Sequence, residues 1–287
     1  MSRIARVTAP ADVDAFYHVI ARVASGAYLL EGDEDKGRLI DVLYRAAEFS
    51  GVRIANYVAM DNHLHLIVLV PASDGSPVPA EEVLRRVEAL YGADYARLLA
   101  AHVAAKGVLA GERLLDGYRR RMGDLGEFMK TFKQRYTQWY NRRRGHVGTL
   151  WTGRFKSVLV EGGKYLRALA RYVDHNPLRA HMVEKGKLYR WSCQGAARGG
   201  DVRAVASRKL LAEHVGAAEV DWREEPEREP RFSNGVVMGS LEFVRRWIDE
   251  RFPLNAGGRR RRPLPVVGDM FATHGGRSAL RRAASVA

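Results

Sequence analysis

Asp61-Asn62-His63-Leu64-His65-Leu66-Ile67-Val68 sets two imidazoles one residue apart inside an apolar run. On a β-strand, alternate residues face the same way, so His63 and His65 project together while Leu64 and Leu66 point to the opposite face. Two neutral imidazoles side by side suit a divalent cation. About a hundred residues on stands Arg171-Tyr172-Val173-Asp174-His175-Asn176-Pro177. On a helix Tyr172 and Asn176 are four apart and share a face. A phenol beside a metal-ligating amide and two histidines forms a centre able to attack a phosphodiester. His175 is an alternative third ligand, and His18 on an earlier strand is a further neighbour.

The pattern around these segments predicts the layers. Residues 16–23, 52–60 and 62–70 are rich in β-branched and aromatic residues and read as strands, with a tight turn at Met60-Asp61-Asn62. Residues 37–50, 80–106, 124–143 and 164–176 carry apolar residues at helical spacing. Gly148 to Val160 reads as a loop entering a fourth strand. Pro177 is expected to end its helix at Asn176, because the residue before proline avoids helical geometry. The order strand–helix–strand–strand–helix–strand–helix predicts an α+β, ferredoxin-like antiparallel sheet with helices packed on one face. A helical insertion at about 78–120 and a C-terminal helical extension complete it. By composition, residues 1–193 form the main domain, 194–234 a linker-like segment around a short helix near 207–214, and 235–287 a small helical extension with the basic tail Arg259-Arg260-Arg261-Arg262.

Bulk composition narrows the partner. The 287 residues hold 47 Lys+Arg against 33 Asp+Glu, a net charge of +14, with a pI near 10.1. That excess favours a polyanion, nucleic acid first. No apolar run approaches the ~20 residues of a membrane span, and no basic amphipathic anchor is evident, so no membrane partner is expected. The N-terminus lacks an apolar leader and Cys193 is the single cysteine. Both features fit a cytoplasmic protein.

With these residues in place, the chain resembles the REP-associated tyrosine transposases of the HUH single-strand endonuclease superfamily. Met60-Asp61-Asn62-His63-Leu64-His65-Leu66-Ile67 is similar to that family's MPNHxHLL block. Gly148-Thr149-Leu150-Trp151-Thr152-Gly153-Arg154-Phe155-Lys156-Ser157 is similar to its GxLWxGRFxS block, and Tyr172-Val173-Asp174-His175-Asn176-Pro177-Leu178-Arg179-Ala180 to its YIxxNPvRA block. The resemblance spans roughly residues 1–185 and implies His63, His65 and Asn176 as ligands of Mg2+ or Mn2+. It implies Tyr172 as the nucleophile that cleaves single-stranded DNA near a hairpin, leaving a 5′-phosphotyrosyl link and a free 3′-hydroxyl. The spacer after Ala9-Pro10 and the length of 71–121 depart from compact members.

Arg154, Lys156, Lys130, Lys133, Arg142 and Arg143 are the candidates for phosphate contact, with Trp151 and Phe155 placed to stack on unpaired bases. Related transposases act as dimers that exchange the tyrosine helix, or singly, so both monomer and homodimer are open. The alternative from another class is a catalytically silent protein on the same fold that regulates by binding hairpin DNA or RNA.

Overall fold

The computed structural model describes residues 6–215, 231–251, 264–265 and 269–274. The arginine run 259–262 and the acidic Pro/Glu stretch 224–230 lie outside the described residues. The chain runs β1 (Ala15–Arg22), α1 (Asp33–Ser50), β2 (Arg53–Ala59) and β3 (His63–Val70), then α2 (Ala80–Tyr91), α3 (Ala93–Ala105) and α4 (Val108–Arg119). There follow α5 (Leu125–Arg144), β4 (Lys156–Val160), α6 (Lys164–Asp174), α7 (Asn176–Arg179), α8 (Cys193–Arg198) and α9 (Val202–Val215). The last elements are α10 (Arg231–Asn234), β5 (Gly235–Gly239), α11 (Leu241–Arg251), β6 (Leu264–Pro265) and β7 (Phe271–His274).

The strands form one sheet in the order β2-β3-β1-β4-β5-β7-β6. Its first four strands are antiparallel, and the crossover from β1 through α1 to β2 skips over β3. That is the ferredoxin-like order of the expectation. One face carries Val19, Leu64, Leu66 and Val68, packed with Leu39 and Leu43 of α1 and Phe128, Phe132 and Tyr136 of α5. The other carries Ile67, Leu69, Val158 and Val160, packed with Leu166, Leu169, Tyr172 and Val173 of α6. Helices therefore lie on both faces of the sheet: α1 and α5 form the expected layer, and the tyrosine-bearing α6 covers the reverse.

Local sequence explains where elements stop. Asp124 caps α5, its carboxylate accepting from the Glu127 amide at 2.7 Å. Gly145 ends that helix in the left-handed region, at φ 60°. The single helix expected over 80–106 is two helices, because Gly92 adopts φ 94°, ψ 163° between α2 and α3. The expected stop at Asn176 comes earlier: α6 ends at Asp174, and Asn176 opens the one-turn α7 with Pro177 in its first turn, where no amide hydrogen is needed. Residues 235–239, expected to start a helix, form β5, which pairs parallel with β4 through Leu159 and Val160. The helix follows as α11.

Asp174 fixes α6 against the sheet. Its side chain is only 2% exposed and bonds Arg208 of α9 at 3.0 Å and the Asn56 amide at 2.8 Å. Asn56 follows an irregularity in the β2–β3 register, which turns its side chain toward α6. Removing Asp174 takes a carboxylate away from the Arg208 guanidinium and from the buried Asn56 amide. Asp174→Ala is expected to lower stability by roughly 3 kcal/mol, read from the urea midpoint. An unchanged midpoint would mean the pair does not hold α6.

Candidate active site

The antiparallel register of β1 and β3 sets Arg22 opposite His63, Ile20 opposite His65 and His18 opposite Ile67. His18, His63 and His65 thus share the face that α6 covers. The ring centroids of His63 and His65 are 4.9 Å apart, and His18 stacks on His65 at 5.1 Å. Tyr172 stands edge-on to both, 6.1 Å from His65 and 6.2 Å from His18. The histidine strand and the tyrosine helix, over a hundred residues apart, meet within one chain.

Hydrogen bonding fixes which ring nitrogens carry protons. The Phe232 carbonyl can only accept, so His18 donates to it through Nδ1 at 2.7 Å. The His18 Nε2 is then a lone pair and accepts from Nδ1 of His65 at 2.9 Å. Asn62 gives its amide hydrogen to the Gly26 carbonyl at 3.3 Å, which leaves Oδ1 to accept from Nδ1 of His63 at 2.7 Å. The β2–β3 turn carrying Asn62 is held by the buried Lys36, which bonds Asp61 at 2.6 Å. Both His63 and His65 therefore carry the proton on Nδ1 and keep an Nε2 lone pair that no hydrogen bond among the described residues takes up. Histidines that ligate metals are commonly oriented by donation from the other nitrogen.

All three imidazoles are neutral at neutral pH. Burial pulls His18 down to about 4. Burial, then the Arg22 charge, pulls His63 to about 4 against a smaller upward pull from Asp61. His65 falls well below its ordinary value through burial, reinforced by His18, His63, Arg22 and Arg179. Neutral imidazole is the ligating form.

Tyr172 is 8% exposed. Its hydroxyl bonds the Ser233 hydroxyl at 2.9 Å. The Phe232 ring packs on the phenol at 4.7 Å, and the Arg179 guanidinium lies 4.6 Å over it. Asn176 donates its amide to the carbonyls of Tyr172 at 3.0 Å and Val173 at 3.3 Å, and its Oδ1 holds no hydrogen bond among the described residues. His175 is buried and bonds the Arg171 carbonyl at 2.8 Å, closing the end of α6. Among the described residues, no three His, Cys, Asp or Glu side chains converge on a metal-holding arrangement. Two neutral imidazoles with unprotonated Nε2 atoms are the donor type a divalent cation takes, and the Asn176 amide, turned to the carbonyls of Tyr172 and Val173, is not joined to either ring by any hydrogen bond among the described residues.

The phosphate candidates divide. Lys156, on β4 opposite Ile20, shares the histidine face. Its pKa is lowered by desolvation and by Arg22. Arg154 and Lys133 instead line a cavity of about 560 Å³ with Arg6 and Lys130, between α5 and the loop 148–155. There burial and the Arg154 charge bring Arg6 down to about 10. Lys133 is lowered by burial and Arg6, and donates to the Gly153 carbonyl at 2.6 Å. Lys130 pairs with Glu127 at 3.0 Å. Arg143 bonds Glu34, while Arg142 is exposed. Trp151 is 3% exposed, and its indole donates to Thr137 and the Lys133 carbonyl at 3.0 and 3.2 Å. It is a core residue with no free face for a base, and the buried Phe155 is covered by Arg6 at 3.4 Å.

Sequence reasoning passed over Arg22, Arg179, Phe232 and Ser233. Arg22 was within reach, since it shares a strand face with His18. Phe232 and Ser233 carried no signal, because they sit inside the stretch 194–234 whose composition reads as linker.

No family model matches the chain, and no curated protein matches it. Among solved structures, a REP-associated tyrosine transposase bound to a REP hairpin aligns with 79% of this chain and 98% of its own, at 16% identity and a TM-score of 0.39. A crystal structure from Deinococcus radiodurans described as a candidate transposase aligns over 63% and 92%, at 15% identity and a TM-score of 0.28. Neither superposition is close enough to assign residues. No helix among the described residues is long and apolar enough to cross a membrane.

The neutral imidazoles carry a stability signature. Unfolded histidine takes a proton below about 6.5, whereas folded His18 and His63 do so only near about 4. The unfolded state then binds more protons between these values, so stability present above pH 6.5 falls as the pH drops toward 4. His18→Gln should flatten that decline by up to about 3 kcal/mol, measured as urea midpoints from pH 7 to 4.5. A slope equal to wild type would mean that His18 is not held neutral.

Proposed function

We propose that this protein is a transposase-type endonuclease and strand transferase acting on single-stranded DNA next to a hairpin, with Tyr172 as nucleophile. The observation that carries this reading is the pair of unprotonated Nε2 atoms on His63 and His65, on rings set beside the Tyr172 phenol of the same chain. A divalent cation, Mg2+ or Mn2+, held by His63 and His65 with the Asn176 amide oxygen as third ligand, would supply positive charge against the oxygens of the scissile phosphate.

The chain's own groups do the rest. Arg22, Lys156 and Arg179 hold the phosphate and orient it toward the phenol. The Tyr172 oxygen bonds to phosphorus, the bond from phosphorus to the 3′-oxygen breaks, the phenolic proton goes to solvent, and the leaving 3′-oxygen takes one up. A 5′-phosphotyrosine and a free 3′-hydroxyl result. Attack by another 3′-hydroxyl reverses the step and joins strands without an outside energy source. Ser233 must release the Tyr172 hydroxyl for the attack to begin. Beyond the site, Arg154, Lys133, Lys130 and Arg6 line the cavity beside the loop that leads into β4, and are placed to take phosphates of the same strand. The cis pairing of Tyr172 with His65 supports cleavage by a single chain.

The test is a denaturing gel with labelled single-stranded hairpins drawn from DNA flanking the gene, in manganese. Wild type should form a covalent adduct. Tyr172→Phe should form at least a thousand-fold less while binding the hairpin within about twofold of wild type. His63→Ala should lose manganese binding in calorimetry as well as the adduct. Tight hairpin binding with no adduct from wild type would point instead to a silent regulatory binder.

A further inference from the structure

A second basic cavity lies on the other side of the sheet from Tyr172, where α1 and α5 pack with the insertion helix α2. It measures about 240 Å³, and its lining includes Arg38, Arg45, Arg135, Arg142, Tyr91 and Gln138, with no carboxylate. It runs on into a cavity of about 410 Å³ that shares Tyr91, Arg135 and Gln138 and adds Arg121 and Lys130, with Glu127 as its one acid. The two make one groove following α5 from Glu127 to Arg142, about 22 Å at the helical rise. That length covers about six nucleotide steps of a duplex strand.

The arginines here are set apart from their neighbours by how they are partnered. Arg143 and Arg144, next along α5, are engaged by Glu34 and by Asp35. Arg142 is exposed and meets no acid among the described residues. Arg135 lies 4.3 Å over the Tyr91 ring, with no carboxylate bonded to it. Arg45 is locked by donating to the carbonyls of Ala89 and Leu90 at 2.9 and 3.1 Å, so its charge cannot swing away. Arg38 reaches Asp41 with one nitrogen, at 2.8 Å, while its Nε is buried without a partner. Guanidiniums that outnumber their counter-charges repel one another until an anion arrives, and their planar forks match phosphate oxygens.

We infer that α5, α1 and α2 form a second groove for a nucleic-acid phosphate backbone, on the reverse of the sheet from the His63–His65–Tyr172 site. The ligand's identity rests on the proposed function; the groove itself rests on its own residues. Its length favours a polymer over a free phosphate compound. The insertion helices α2 to α4 carry a core of their own, in which Val83, Val87, Leu99 and Leu115 pack on Phe49 of α1. They hold the α2 wall rigid, as a backbone groove requires.

The test is fluorescence anisotropy of labelled single-stranded and hairpin DNA across a sodium chloride series. In the double variant Arg135→Gln with Arg142→Gln, two phosphate contacts are lost, and the slope of log affinity on log salt should become shallower by about 1.5. Affinity should fall at least tenfold. Arg135→Lys with Arg142→Lys should restore the slope, which separates charge from packing. Lys106→Gln, an exposed cation on the insertion away from the groove, should leave the slope unchanged. An unchanged slope in the Gln pair, an equal change in Lys106→Gln, or no restoration by the Lys pair would overturn the groove while wild-type DNA binding stands. Absence of DNA binding by wild type would overturn the proposed function and this ligand together. Displacement of DNA by micromolar inorganic triphosphate from wild type but not from the Gln pair would identify a free polyphosphate site and overturn the backbone assignment.

Discussion

Strand β3 is covered on both faces, and everything about the candidate site depends on that. Leu64, Leu66 and Val68 seat the strand on α1 and α5, so the alternation of the chain sends His63 and His65 to the side that α6 closes. A slip of one residue would bury leucines where the imidazoles stand and put the imidazoles into the main core. Register and chemistry are fixed by the same packing. Coverage by α6 strips water from the rings and keeps them neutral, so each can offer a lone pair at physiological pH. An exposed pair on an open sheet would be partly protonated and free to rotate.

Charge is distributed unevenly for a protein this basic. Where cations serve the fold, acids answer them: Lys36 with Asp61, Arg208 with Asp174, Arg144 with Asp35. Around Tyr172 and along α5 the pattern changes. Beyond the effect of burial, Arg22 lowers the pKa of both Lys156 and His63, and beside the loop into β4 Arg154 lowers Arg6 while Arg6 lowers Lys133. Such clusters oppose folding slightly and favour binding of polyanions strongly. The net charge of +14 therefore marks surfaces left open to an anionic partner more than it reflects the charge needed to hold the chain together.

Much of this was legible because the deciding residues obey short periods. The two-residue alternation that sends His63 and His65 to one face needs only local geometry, whereas the four-residue spacing from Tyr172 to Asn176 presumed one continuous helix, and α6 ends at Asp174 so that Asn176 opens α7 instead. The ferredoxin-like order followed from element order. What local patterns could not carry was tertiary. Trp151 sits in a motif surrounded by cations, which reads as a stacking platform, yet its indole nitrogen is satisfied by Thr137 and its ring fills the space between α5 and the sheet. Gly92 interrupts a continuous apolar stripe that periodicity alone runs straight through. Strand β5 is five residues long and pairs with a neighbour 75 or more positions away, so its apolar run could not be told from the start of a helix.

The C-terminal part of the chain belongs to the site rather than trailing from it. The tautomer of His65 is set by His18, and His18 is set by the Phe232 carbonyl, 214 positions along the chain. Strand β5 begins three residues after Phe232 and is anchored to β4, so the carbonyl is held by the sheet itself. The same short segment supplies Ser233 to the Tyr172 hydroxyl. One segment thus fixes the tautomers of the imidazoles while engaging the Tyr172 hydroxyl. The two effects need not be lost together, because a rotation of the Ser233 side chain frees the phenol without moving the Phe232 carbonyl. Under the proposed function, such a site stays assembled when the Ser233 contact is given up, because the hydrogen bonds that orient the imidazoles do not pass through Ser233.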